Sequence, residues 1–204
     1  MGENITIGIT GGIGSGKSVI ARILRCNGFI VYDCDSEARE LMNSSLSLKN
    51  ALKEKFGEDI YLPEGTLDRK KLASIIFYDA EEREYVNGIV HEAVRQDILK
   101  LRKEKPGYFF IEAAILGSGG LAPFCDSIWV VEAPLEERYE RVKSRDTLSY
   151  EEIEKRIESQ KKELTLLRND NLIYIMNDGK HPVLPEVLKL TDKFINNYSY
   201  FISC

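Results

Sequence analysis

Residues 11–18 read Gly-Gly-Ile-Gly-Ser-Gly-Lys-Ser, and this octapeptide restricts the fold of the chain more than any other feature. It matches the pattern G-x-x-x-x-G-K-[ST] at every defined position. A β-rich run at residues 5–10 precedes it, and apolar residues at helical spacing follow over residues 17–26. Because the pattern requires a preceding strand and a following helix, this context argues against a chance match in a glycine-rich turn. The sequence therefore predicts a phosphate-binding loop.

The residue types in the loop explain how it would bind a nucleotide. Glycine at positions 11, 14 and 16 lets the backbone curl tightly and turn successive N–H groups toward phosphates. The helix that starts near Lys17 adds the positive end of its dipole, and the Lys17 ammonium can reach the β- and γ-phosphates. The Ser18 hydroxyl can ligate Mg²⁺. We therefore predict that ATP and Mg²⁺ bind to Gly12, Ile13, Gly14, Ser15, Gly16, Lys17 and Ser18.

Strand-like and helical segments alternate along most of the chain. Strands are predicted at residues 5–10, 29–32, 108–111, 127–131 and 172–176. Such alternation predicts an α/β fold, a three-layer α/β/α P-loop NTPase with a five-stranded parallel sheet. Residues 35–104 show helical patterns and no convincing strand, which predicts a helical insert for a second substrate. The nucleotide-binding core would then comprise residues 1–34 and 105–204, with a small lid at about 141–165.

Acidic residues are predicted at the carboxyl ends of two strands. Asp33 follows the second strand and Glu112 follows the third. Ligands bind at this edge of open parallel sheets, where a carboxylate can accept a proton from a hydroxyl or help to hold Mg²⁺. Asp35 would point the same way if the chain stayed extended. Helix capping is the alternative for Asp33 and Asp35, and a solvated strand end is the alternative for Glu112.

A set of arginines follows the fourth predicted strand. Arg138, Arg141 and Arg145 have the i, i+3, i+7 spacing of one helical face. Guanidinium groups that close from a lid can stabilise charge developing on the γ-phosphate, which suits Arg141 and Arg145. A solvated face is the alternative, and we assign Arg138 to it.

Composition argues against several classes of function. The net charge is −5 and no long basic run occurs, so neither nucleic-acid nor membrane-surface binding is expected. No segment approaches the length of a membrane span, and the first residues lack the layout of a signal peptide. The four cysteines are widely spaced without a C-x-x-C pair, which favours a reduced, cytoplasmic setting. The oligomeric state is not predicted.

Motifs across residues 4–180 resemble those of the dephospho-coenzyme A kinase family in order and spacing. Besides the loop, they comprise a D-x-D…A-R segment, a G-x-L-x-R…L…I-F…N…H stretch, an R-x-x-x-R-D lid entry, a later glutamine and a late N-D-G. The matching residues are 10–18, Asp33, Cys34, Asp35, Ala38, Arg39, 65–69, Leu72, Ile76, Phe77, Asn87, His91, Arg141, Arg145, Asp146, Gln160 and 177–179.

The resemblance implies an ATP-dependent kinase that phosphorylates the ribose 3′-hydroxyl of dephospho-coenzyme A, the final step of coenzyme A synthesis. By the same carry-over, Asp33 is the base near that hydroxyl, and Lys17, Arg141 and Arg145 complete the catalytic set. Asn177 would lie near the adenine. The helical insert would bind the acceptor, whose contacts would be Thr10, Asp33, Arg69, His91 and Glu112.

The chain departs from the family pattern at two places. Glu92 follows His91 where the family usually has proline, and a glycine-rich turn at residues 117–120 lies where it usually has Pro-Leu-Leu and a further glutamate. A small-molecule kinase of the same fold, acting on a nucleoside or nucleotide, is therefore one alternative. A non-catalytic ATP-binding regulator is another. A GTPase is disfavoured because no N-K-x-D guanine signature occurs.

Overall fold

The strands of the computed structural model form a five-stranded parallel sheet. The structure describes residues 4–105, 107–145, 148–167 and 171–199, with side chains up to residue 194. The strands are β1 (Ile5–Gly11), β2 (Ile30–Asp33), β3 (Tyr108–Glu112), β4 (Ser127–Glu132) and β5 (Leu172–Met176). Their order is β2-β3-β1-β4-β5, so the strand that leads into the phosphate-binding loop is central.

Helices connect the strands and begin where the sequence provides caps. They are α1 (Lys17–Cys26), α2 (Cys34–Ser44), α3 (Leu46–Phe56), α4 (Arg69–Tyr78), α5 (Ala80–Glu104), α6 (Leu135–Arg145), α7 (Tyr150–Thr165) and α8 (Val183–Ser199). Asp68 caps α4 by accepting from the N–H groups of Lys70 and Lys71. Ser149 and Glu152 form a capping box at the start of α7.

The chain divides into two compact units, of which Cys34–Glu104 is one. In the other unit, every residue of β1 is buried, as expected for a parallel strand covered on both faces. Its core centres on the fully buried Trp129, whose ring packs edge-on against Phe110 with centroids 5.5 Å apart. This core holds β1 and α1 in place, and with them the loop that joins the two.

The Cys34–Glu104 unit has its own apolar core among α3, α4 and α5. On α5, buried residues recur every fourth position at Val86, Val90, Val94 and Ile98, which gives one continuous apolar face. The Tyr61 hydroxyl donates to the Met42 carbonyl at 2.7 Å, and burial raises the pKa of Tyr61 to about 12.

The structure confirms the predicted α/β fold and its five parallel strands. Directly after β2 it decides between the two alternatives for Asp35, because α2 begins at Cys34. Asp35 therefore lies in the first turn of a helix, where a carboxylate is favourable to the helix dipole. The condition under which Asp35 would point the same way as Asp33, an extended chain, is therefore not met. In the part of the chain that the structure describes, no helix is both long and apolar enough to cross a bilayer.

Candidate active site

The phosphate-binding loop joins the carboxyl end of β1 to the first turn of α1. Gly14 and Gly16 have positive φ values of 76° and 96°, a region that only glycine enters freely. Gly16 is the N-cap of α1, without a capping side chain. The first N–H groups of a helix have no partner within the helix, so this end of α1 offers donors and a positive dipole to an anion.

The Lys17 side chain lies back over the loop that precedes it. Its Nζ donates to the Gly11 carbonyl at 2.9 Å and to the Gly12 carbonyl at 3.4 Å. An ammonium group can donate three hydrogen bonds. Lys17 can therefore direct one of them to a phosphate by rotation of its side chain. Lys17 is thus already held at the mouth of the cradle.

The outer face of the loop is braced by side chains from α6, α7 and the end of β5. Three consecutive loop carbonyls each accept a hydrogen bond from a different side chain. The pairs are Ile13 with Arg138 Nε at 2.9 Å, Gly14 with Arg141 Nη1 at 3.3 Å, and Ser15 with Asn177 Nδ2 at 2.9 Å. The Ile13 N–H donates in turn to Gln160 Oε1. These four side chains, here called the brace, therefore hold the backbone of the loop in its conformation.

The brace gives a second reason for glycine in the loop. A Cβ atom on Gly12 would lie 2.0 Å from Arg138 Nη2, and a Cβ atom on Gly16 would lie 2.0 Å from Asn177 Nδ2. On Gly14 it would lie 2.6 Å from the Arg138 carbonyl oxygen. Arg138 and Asn177 thus leave no room for a side chain at these three positions, and the positive φ of Gly14 and Gly16 is a further reason for glycine at two of them.

The assignment of Arg138 to a solvated helical face is wrong. Its guanidinium is half-buried behind the loop and, with Ser15 and Gln160, lines a cavity of about 270 Å³. Burial lowers the pKa of Arg138 from its ordinary value, although a guanidinium stays protonated at neutral pH. Arg138 therefore brings a positive charge to the back of the phosphate cradle.

Two carboxylates lie at the same edge of the sheet as the loop. Asp33 and Glu112 are register partners at the ends of β2 and β3, and Glu112 is also aligned with Ile9 of β1. Register partners on parallel strands have side chains on the same face. Both residues are half-buried, whereas Thr10, the next residue of β1, is buried. The structure thus places Asp33 and Glu112 side by side, next to the strand that carries the loop.

Arg141 connects the loop to the turn after β5. Besides its bond to Gly14, it donates through Nη2 to the Asn177 carbonyl at 3.0 Å. The Asn177 N–H donates to the Glu132 carbonyl at 2.7 Å, which fixes this turn to the end of β4. Arg145 is the exposed last residue of α6, and Asp146 of the predicted lid entry lies outside the described residues. Arg141 is therefore part of the brace, and Arg145 is placed beyond it.

Comparisons with known proteins agree with these features. The family model for dephospho-CoA kinase matches residues 5–182. A dephospho-CoA kinase from Porphyromonas gingivalis is 41% identical over 189 residues, covering 92% of this chain and 93% of the relative. The chain belongs to the dephospho-CoA kinase family. It is accordingly a kinase that phosphorylates the ribose 3′-hydroxyl of dephospho-coenzyme A with ATP, in the last step of coenzyme A synthesis.

Solved structures have the same fold. A crystal structure from Thermus thermophilus has a TM-score of 0.77 at 33% identity and covers 93% of this chain and 96% of its own. A dephospho-CoA kinase from Campylobacter jejuni has a TM-score of 0.65 at 25% identity, with the same shares covered. The resemblance seen in the motifs thus extends to the whole arrangement of helices and strands.

Two residues expected to contact dephospho-CoA lie in the Cys34–Glu104 unit. Arg69 is the exposed first residue of α4, and His91 is half-buried on α5. The other expected acceptor contacts, Thr10, Asp33 and Glu112, belong to the unit that contains the sheet. The predicted acceptor residues are therefore divided between the two units.

Both departures from the family pattern have local partners in this structure. Glu92 accepts from Arg95 Nη2 at 2.6 Å and from Gln96 Nε2 at 2.7 Å, and α5 runs through it without a break. The Gly117 and Ser118 N–H groups donate to the Glu163 carboxylate at 3.1–3.2 Å. The glycine-rich turn is thus anchored to α7.

The site fits Mg²⁺ of the kind that kinases use. Within the described ranges, no three His, Cys, Asp or Glu side chains form a metal-binding group. Kinase Mg²⁺ needs no such cage, because one or two carboxylates, substrate phosphates and water supply its oxygen ligands. Ser18 is exposed in the first turn of α1, and Glu112 ends the strand beside β1. These are oxygen donors of the required type.

Sequence reasoning missed the contacts of Arg138 with the loop and of Glu163 with the glycine-rich turn. A signal was present for each. Arg138 lies three residues before Arg141, and Glu163 lies three residues after Gln160, so each pair shares a helical face. When one residue of a helical face is assigned a function, the residues three or four positions away on that face are the next candidates.

Proposed function

We propose that this chain transfers the γ-phosphoryl group of ATP directly to dephospho-coenzyme A, with the 3′-hydroxyl presented to Asp33 and the donor phosphates bound by residues 12–18. The observation that carries this proposal is the register pairing of Asp33 with Glu112 beside β1. It brings a proton acceptor and the phosphate-binding loop to one edge of the sheet.

Asp33 acts as the general base in this proposal. It accepts the 3′-hydroxyl proton as the oxygen attacks the γ-phosphorus, the bond to the β–γ bridging oxygen breaks, and ADP leaves with that electron pair. The position of Asp33 at the end of β2 suits a substrate that enters at the carboxyl edge of the sheet. Glu112, its neighbour, is positioned to contact the acceptor or the metal's water shell.

Cationic residues stabilise the transferred group. Lys17 turns from the loop carbonyls to the β- and γ-phosphates, and Arg141 keeps its place between the loop and Asn177 near the adenine. Arg145, at the end of α6, reaches the phosphates from the lid. Mg²⁺ bound by Ser18 and the phosphates would neutralise charge on the donor.

The Cys34–Glu104 unit binds the acceptor, with Arg69 and His91 among the contacts. The remaining partners follow from the reaction and the composition. Small molecules are the only substrates, and neither nucleic acid nor a membrane surface is a partner, given the net charge of −5 without a basic run. We place the protein in the cytoplasm, where widely spaced cysteines stay reduced.

Replacement of Asp33 tests the proposed base. We expect Asp33→Asn to reduce kcat by about 10²-fold or more, because the amide cannot accept the hydroxyl proton. The measurement is steady-state formation of ADP by the purified protein with ATP, Mg²⁺ and dephospho-coenzyme A, with the 3′-phosphorylated product identified by mass spectrometry.

Asp35→Asn is the matched control, since it makes the same change two residues later in the first turn of α2. It should keep kcat within about threefold of the parent protein. Full activity of Asp33→Asn, or an equal loss in both variants, would refute the role of Asp33. Turnover of a nucleoside in place of dephospho-coenzyme A would refute the acceptor.

A further inference from the structure

The second position of the phosphate-binding motif is glycine in this chain, although the motif leaves that position open. Gly12 has no positive φ, so its backbone conformation does not demand glycine. The three heavy atoms nearest to a Cβ on Gly12 all belong to the Arg138 guanidinium, at 2.0, 2.6 and 3.1 Å. The close contact that a side chain at position 12 would meet first is therefore with Arg138.

In this position, Arg138 fixes the peptide group between Ile13 and Gly14. Its Nε donates to the Ile13 carbonyl at 2.9 Å. Because a peptide bond is planar and trans, the carbonyl of Ile13 and the N–H of Gly14 point in opposite directions. A carbonyl held outward toward α6 therefore turns the Gly14 N–H inward, to the side where the phosphates bind.

We propose that Arg138 is a positioning residue for the ATP phosphates, which presets the Gly14 N–H through the Ile13 carbonyl, and that glycine at position 12 exists to admit its guanidinium. Arg138 touches no phosphate in this role. It lowers the cost of ordering the loop when ATP binds, so its effect belongs to the donor substrate and not to the acceptor. The proposal rests on ATP binding at residues 12–18, which Lys17 variants test independently.

Arginine is better suited to this task than lysine. Its planar fork is rigid and forms directional hydrogen bonds, whereas an ammonium on a long stem is a mobile point charge. Half-burial behind the loop restricts the fork further. We therefore expect Arg138→Lys to recover only part of what Arg138→Ala loses.

A double-mutant cycle between positions 12 and 138 tests the proposal. Arg138→Ala should raise KM for ATP about tenfold, the size expected for one lost hydrogen bond to a charged donor, with KM for dephospho-coenzyme A within about twofold of the parent value. Gly12→Ala should have a similar effect, because its methyl group displaces the guanidinium. The double variant should be no worse than either single variant.

Lys143→Ala is the control, as it removes a positive charge from an exposed position of the same helix. It should leave both KM values unchanged within about twofold. Thermal unfolding and calorimetric titration with a non-hydrolysable ATP analogue separate loop positioning from loss of folding. Additive effects in the double variant, equal changes in both KM values, or an unchanged KM for ATP in Arg138→Ala would each overturn the proposal.

Discussion

Asn177 shows how much of this site depends on single polar groups that hold the phosphate-binding loop. Its side-chain amide donates to the Ser15 carbonyl, while its own backbone carbonyl accepts from Arg141. The residue thus joins the loop, α6 and the end of β5 at one point. In the proposed function, adenine binds near Asn177, at contacts that are already formed.

Asp178, the next residue, stabilises the turn that holds Asn177. Its carboxylate accepts from the N–H groups of Lys180 and His181 at 2.9 Å each and lies 2.8 Å from His181 Nδ1. The backbone and side chain of His181, followed by the Lys180 N–H, hold the pKa of Asp178 well below its ordinary value. The folded state therefore prefers the ionised carboxylate.

This preference makes a prediction about acid stability. A lowered pKa in the folded state gives stability that is fully present above the unfolded pKa of about 3.9 and is lost as the pH falls toward the folded value. Asp178→Asn should be less stable than the parent protein at neutral pH, and the gap should narrow between about pH 5 and pH 3. Urea unfolding across this range measures it. Asp192→Asn, which makes the same change at an exposed position of α8, is the matched control.

Helix α7 illustrates the same principle at the scale of an element. Gln160 accepts from the loop residue Ile13, and Glu163, one turn later, accepts from Gly117 and Ser118. One face of α7 therefore contacts the donor loop and the turn after β3 at the same time. At its other end, the Ser149 capping box fixes where the helix starts.

The packing of α7 on the glycine-rich turn predicts opposite effects for two glycine-to-alanine changes. A Cβ on Gly117 would lie 2.9 Å from Leu166 Cβ at the end of α7, so Gly117→Ala should lower the free energy of unfolding by about 1–3 kcal/mol. Gly88 lies within α5 with nothing within 4 Å of its Cβ position, so Gly88→Ala should raise it by about 0.5–1 kcal/mol. Urea unfolding of both variants measures the two changes. If both variants changed the free energy of unfolding in the same direction, the packing described here would be contradicted.

Two apolar cores in the described part of the chain belong to different units, one around the sheet and one in the Cys34–Glu104 unit. Leu52 of α3 is fully buried in the second core, whereas Leu46 of the same helix is 73% exposed. This pair allows the contribution of the second core to be measured without touching the loop.

Leu52→Ala should lower the free energy of unfolding by about 2–5 kcal/mol, because it leaves a cavity in the helical core. Leu46→Ala should change it by less than about 0.5 kcal/mol. Calorimetry with an ATP analogue should give the parent affinity for both folded variants, since the loop belongs to the other unit. Weakened ATP binding in Leu52→Ala at a temperature where it is folded would contradict this separation.

Local sequence patterns predicted the parts of this molecule that depend on local physics. The strand, loop and helix around residues 11–18 were predicted because glycine, helix dipole and apolar spacing act within a few residues. The brace behind the loop depends on which side of α6 docks against Ile13, and that follows from tertiary packing around Val142. Because the sequence does not show this docking, it predicted a solvated position for Arg138. The position of Asp35 stayed open in the sequence because the chain passes from β2 to α2 between Asp33 and Cys34, and no local pattern marks that boundary.

The insertion of Cys34–Glu104 between β2 and β3 also serves as their crossover connection. Two adjacent parallel strands need only about a dozen residues to be joined. The sheet therefore constrains only the two ends of this segment, and the length and structure of the rest are not fixed by the strand order. Homologues could lengthen, shorten or exchange it without altering the phosphate-binding loop, so the choice of acceptor can evolve on its own while donor chemistry is retained.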